Sequence, residues 1–83
     1  MKKKIFVVDD EKDIQEILKI NLSMQNLDVR AFSSGEEALA ELKHGLPDLI
    51  LLDVMMDGMD GFEFCKLLRE NADYRDIPVI FLS

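Results

Sequence analysis

Three carboxylates and one hydroxyl each follow directly on a short apolar run. Asp9 and Asp10 come after Ile5-Phe6-Val7-Val8, Asp53 after Leu49-Ile50-Leu51-Leu52, and Ser83 after Val79-Ile80-Phe81-Leu82. Carboxylate is what this sequence holds in quantity for chemistry, with 17 Asp and Glu against one His and one Cys. A single cysteine excludes an intramolecular disulfide and a multi-cysteine metal site. A single histidine excludes a His-pair zinc site, and serine-histidine-aspartate chemistry would rest on His44 alone, beside Gly45 and Pro47 at an expected helix end. If the carboxylates meet, the chemistry open to them is oxygen-only binding of a hard cation, or nucleophilic attack by one of them.

The apolar runs that precede these residues are uninterrupted, which marks strands covered on both faces as in a parallel sheet. Between the first two of them the period changes. Ile14, Ile17, Leu18 and Leu22 recur at three- and four-residue steps from Glu11 to about Gln25, predicting an amphipathic helix with Asn26 as a left-handed cap. Val29 and Ala31 then alternate with Arg30 and Phe32 in a weaker strand, expected at a sheet edge. Ser34 and Glu37 form a capping box for a second helix that buries Ala38, Leu39 and Leu42. Gly45 fits the position just past its end, Leu46 the hydrophobic contact after it, and Pro47 stops the helix from resuming. The run Leu49–Leu52 gives the third strand. A third helix is expected from about Gly61 to Asn71, with Asp60 as its N-cap and Phe62, Cys65 and Leu68 buried. Ile77 to Leu82 is the fourth strand, its proline confined to the start, where a missing donor matters least.

The order is βαβαβαβ with short connections and no internal repeat. Right-handed crossovers then require a parallel sheet with helices on both faces, and ligands in such sheets sit beyond the carboxyl ends of the strands. If the first and third strands are neighbours, Asp9, Asp10 and Asp53 converge in one crevice. Like charges at that range repel, so they raise one another's pKa or recruit a cation. Oxygen-only ligation suits Mg²⁺, with Mn²⁺ as a substitute. Taken singly, each residue reads more plainly. Asp9-Asp10 alone is a helix N-cap, Asp53 alone a solvated strand end, and Ser83 alone says nothing. Met55, Met56 and Met59 read as packing or adaptable surface, and Cys65 as core. The joint placement at three strand ends is what changes the reading.

Four stretches carry a resemblance: Val7-Val8-Asp9-Asp10-Glu11, Leu51-Leu52-Asp53-Val54-Met55-Met56, Gly58-Met59-Asp60-Gly61-Phe62-Glu63 and Pro78-Val79-Ile80-Phe81-Leu82-Ser83. In order and spacing the chain resembles a response-regulator receiver domain along its entire length. The resemblance implies a flavodoxin-like sheet, here of order 2-1-3-4. It implies Asp53 as the phospho-accepting nucleophile in two-component signalling, supplied by a histidine-kinase phosphohistidine. It implies Mg²⁺ held by Asp9, Asp10 and Asp53 with the backbone carbonyl of Met55, and Ser83 as the switch residue that bonds the phosphoryl group. It further implies that residues 1–83 are the N-terminal two-thirds of a receiver, lacking a fifth strand, its lysine and aromatic switch residue, and the last two helices. Asp57 stands where the family often has proline, adding negative charge near the site.

Eighty-three residues allow one small domain. A net charge of -7 argues against sequence-independent nucleic-acid binding, and no apolar stretch nears the roughly 20 residues of a membrane span. Met1-Lys2-Lys3-Lys4 is basic like a secretory leader, but Asp9-Asp10-Glu11 cut the apolar run too soon, so a cytoplasmic location is expected. Competing functions fare worse on the residues. An aspartate-nucleophile phosphatase, the enzyme reading, places a second Asp where Met55 stands, so no enzyme beyond self-catalysed transfer and dephosphorylation is expected. A calcium loop starting at Asp53 meets Met55 at its third position and Phe64 at its twelfth. The remaining alternative is a phosphorylation-impaired fragment that self-associates as a homo-oligomer through an exposed fourth strand.

Overall fold

A computed structural model describes residues 2–56 and 58–82; Met1, Asp57 and Ser83 lie outside the described residues. The chain runs β1 (Lys4–Val8), α1 (Lys12–Ser23), β2 (Asp28–Phe32), α2 (Gly35–Leu42), β3 (Leu49–Asp53), α3 (Gly61–Glu70) and β4 (Val79–Leu82). All pairings are parallel and the order is β2-β1-β3-β4. The expected flavodoxin-like sheet is therefore present, with β2 at one edge and β1 beside β3.

Alternation along β1 splits the core into two layers. Phe6 and Val8 join Ile50, Leu52, Ala38, Leu42, Phe64 and Leu68 on the face covered by α2 and α3. Ile5 and Val7 join Val29 on the face covered by α1, with Leu18 and Leu22 packed against them. β1 is buried on both sides because both helix layers meet over it, as its unbroken apolarity requires.

Local chemistry sets the boundaries. Asn26 turns the chain after α1 with φ 62°, a conformation Asn tolerates better than most residues. Ser34 Oγ accepts from Glu37 N–H at 3.2 Å, and the Glu37 carboxylate accepts from Ser33 N–H at 3.0 Å. The capping box thus closes one residue earlier on the chain than its usual form. Asp60 caps α3, its Oδ1 accepting from Glu63 N–H at 2.8 Å.

Several sequence expectations need correction. In α3 the residues facing the sheet are Gly61, Phe64 and Leu68, while Cys65 is half-buried and Phe62 is 63% exposed. The cause is the close seating of the helix start: an added Cβ on Gly61 would lie 2.7 Å from the Asp53 carbonyl oxygen. That contact fixes the helix rotation, directs Phe64 inward and leaves Phe62 beside Phe81, ring centroids 5.3 Å apart. In α1, which stops at Ser23, Ile17 is 54% exposed, because it lies roughly a third of a turn from the Ile14–Leu18–Leu22 line that meets the sheet. Leu46 is exposed and Pro47 buried after the Gly45 turn. Ile77 belongs to the core, but it stands in the turn before β4, its N–H donating to Tyr74 at 3.1 Å.

Candidate metal and phosphoryl site

The carboxyl ends of β1 and β3 lie side by side, with Val8 opposite Leu52. That register brings Asp9, Asp10 and Asp53 together: one carboxylate oxygen from each lies within 4.8 Å of the other two. Asp9 is 4% exposed, whereas Asp10 and Asp53 are half-buried. A crevice of about 390 Å³ opens over the cluster. Asp9, Asp53, Glu11 and Met55 line its polar side, and Ile14, Leu18 and Leu82 form an apolar wall.

Asp9 and Asp53 are each held by their own turn. Asp9 Oδ1 accepts from Glu11 N–H at 2.8 Å and Asp53 Oδ1 accepts from Met55 N–H at 3.1 Å. Both bonds turn the chain away from the sheet at the first residues beyond the strand. The cap position of α1 falls to Glu11, one residue beyond the acidic pair. Glu11 makes no side-chain cap bond there.

Burial pushes the Asp9 carboxyl above its ordinary range. The Glu11 N–H opposes that shift, and the neighbouring charges of Asp53 and then Asp10 reinforce it. Among the described residues the Glu11 N–H offsets only part of the cost of an anionic Asp9. Oxygens on opposite sides of Mg²⁺ stand about 4.2 Å apart, twice the usual bond length. Only one of the three pairs can stand opposite, and adjacent oxygens lie about 3 Å apart. Carboxylates within 4.8 Å must therefore close by up to about 2 Å. The donor set, all carboxylate oxygen, fits a small hard dication.

The other site expectations divide. Met55 lines the crevice. Asp60 serves the α3 cap, as read from sequence. Ser83 and Asp57 lie outside the described residues. Two participants were missed. Gly61 lets the α3 start rest on the backbone of Asp53 and Val54, its N–H donating to the Val54 carbonyl at 3.0 Å. Gln15 is buried at the strand ends. Its signal was an amide standing between Ile14 and Leu18 on the apolar face of a helix.

An open parallel sheet with an acidic cluster at its carboxyl edge defines the class: doubly wound α/β domains that work beyond their strand ends. The chain belongs to the response regulator receiver domain family, whose pattern it matches over residues 5–83. It is 51% identical, over all of its 83 residues, to the alkaline phosphatase synthesis transcriptional regulatory protein PhoP of Bacillus subtilis, covering 34% of that protein. It is 41% identical to the response regulator PleD of Caulobacter vibrioides, with all of this chain and 18% of that protein covered. Among solved structures, the N-terminal domain of a response regulator receiver protein from Methanoculleus marisnigri superposes with TM-score 0.93 at 39% identity, over 96% of this chain and 65% of that one. The Vibrio cholerae chemotaxis protein CheY4 gives TM-score 0.92 at 32% identity, over 98% and 68%. The chain spans about a third of the length of the first curated relatives it matches.

Proposed function

We propose that this receiver accepts a phosphoryl group on Asp53 from the phosphohistidine of a sensor kinase. An Asp53 carboxylate oxygen attacks phosphorus as the bond to the imidazole nitrogen breaks, giving an acyl phosphate and a free histidine. The observation that carries the reading is the convergence of Asp9, Asp10 and Asp53 at the end of β1 and β3. Their carboxylates, with the Met55 carbonyl, would hold Mg²⁺, which supplies charge neutralisation to the transferring group. Asp9 and Asp10 would bring that charge to Asp53, and the loop of Val54 and Met55 keeps the nucleophile at the crevice. Ser83 completes the reading as the residue that senses the phosphoryl oxygen. The chain acts as a signalling module, with no activity beyond its own phosphorylation and dephosphorylation. Self-association through β4 rests only on the exposure of Ile80 and Phe81. Such an assembly has no need of the acidic cluster, so the phospho-acceptor reading is preferred.

The test is intact mass after incubation with Mg²⁺ and a small acyl-phosphate donor. One phosphoryl addition is expected, lost in Asp53→Asn and on chelation of the metal. Addition that survives Asp53→Asn would assign the acceptor elsewhere and overturn the proposal.

A further inference from the structure

Within α1 the residue that is buried is a polar one, Gln15, 7% exposed. Its Nε2 donates to the Asp9 carbonyl, to the Phe32 carbonyl at 3.3 Å and to Ser33 Oγ at 3.1 Å. Two of these partners are carbonyl oxygens, which only accept, so the nitrogen and not the oxygen of the amide must face them.

The sheet explains why a side chain is needed there. Asp9 N–H donates to the Phe32 carbonyl at 3.0 Å, the last rung between the first two strands. The next rung of a parallel ladder would bring a backbone donor from beyond Phe32 to the Asp9 carbonyl. β2 ends at Phe32, however, Ser33 N–H turns to the Glu37 carboxylate, and Ser34 becomes the N-cap of α2. Gln15 brings a donor to the Asp9 carbonyl from α1. With its N–H on Phe32 and its carbonyl on Gln15, the Asp9 backbone is pinned on both sides, which sets the direction of its Cα–Cβ bond.

We infer that Gln15 is a positioning residue for the acidic cluster, aiming Asp9 at Asp53 by completing the ladder that β2 abandons. The inference rests on the reading of Asp9, Asp10 and Asp53 as a cation site. Residues that orient metal ligands without touching the ion commonly govern affinity as well as stability.

Gln15→Met keeps the side-chain length and removes the donors. The probe is Mn²⁺ alone, with bound ion read from the loss of the free-ion paramagnetic resonance signal. Titrations are run where circular dichroism shows each protein folded. The Mn²⁺ dissociation constant should rise about tenfold in Gln15→Met. Ser33→Ala, which leaves both carbonyl contacts intact, should stay within about twofold of the parent. A Gln15→Met protein that is less stable but binds Mn²⁺ as the parent does would reduce Gln15 to a structural brace and overturn the inference. Should that variant not fold, Gln15→Asn withdraws the amide by one methylene and decides by the same comparison. A parent that binds no Mn²⁺ sinks the cation site itself, and this inference with it.

Discussion

Asp9 shows how a single residue can cost the fold stability while standing in the acidic cluster. Its carboxyl is raised above the ordinary range by burial and by the charges of Asp53 and Asp10. The folded state therefore holds a proton on Asp9 at pH values where the unfolded chain has released it. Stability from this group is complete below the ordinary carboxylate pKa, is lost as pH rises through the raised value, and remains absent above it. Without metal, Asp9→Asn should unfold at higher urea than the parent at neutral pH, with the gap closing as pH falls toward the ordinary range. An Asn oxygen still accepts from Glu11 N–H, so the comparison isolates the charge. A variant less stable than the parent at pH 7 would count against the stated cause. The acids themselves were legible, since each follows an apolar run. Gln15 was not, because only the folded chain shows that β2 leaves the Asp9 carbonyl without a ladder donor.

At the scale of elements, α3 carries the clearest lesson. Phe62 and Phe64 stand two apart in a helix, so they point in widely different directions and the sequence supports either as the buried one. Rotation was decided by Gly61, whose missing Cβ lets the helix start rest on the Asp53 carbonyl. The outcome is testable with two truncations. Phe64→Ala empties a fully buried position and should cost about 3–5 kcal/mol in urea unfolding. Phe62→Ala loses only the ring contact with Phe81 and should cost about 1 kcal/mol or less. A domain of this length holds only about 4–12 kcal/mol in all, so the first change brings the fold near its limit. Equal costs would mean that the helix is seated differently.

The whole molecule concentrates a general imbalance at one place. Its 17 acidic residues outnumber its 10 basic ones, and three of the acids bring carboxylate oxygens within 4.8 Å of one another. A divalent cation that binds there and not to the unfolded chain must stabilise the fold. At a hundredfold excess over its dissociation constant the gain is about 2.7 kcal/mol. Thermal unfolding with Mg²⁺ should therefore shift to higher temperature, revert with a chelator, and show little shift in Asp53→Asn. A shift of the same size in that variant would mean that the ion acts by general screening. Among the described residues no helix is long and apolar enough to cross a membrane.

The alternation of unbroken apolar runs with amphipathic segments determined the parallel sheet, the order of elements and the strand ends at which the acids fall. These depend on periods and turn residues, which are local properties that a chain carries with it. Tertiary structure alone decided which face of α3 turned inward, that Ile17 stays in water, and that an amide from α1 stands in for a strand. Those outcomes follow from how closely one backbone can approach another, and from where a neighbouring strand stops. No local pattern encodes such distances, because both partners must be in place before either constraint exists.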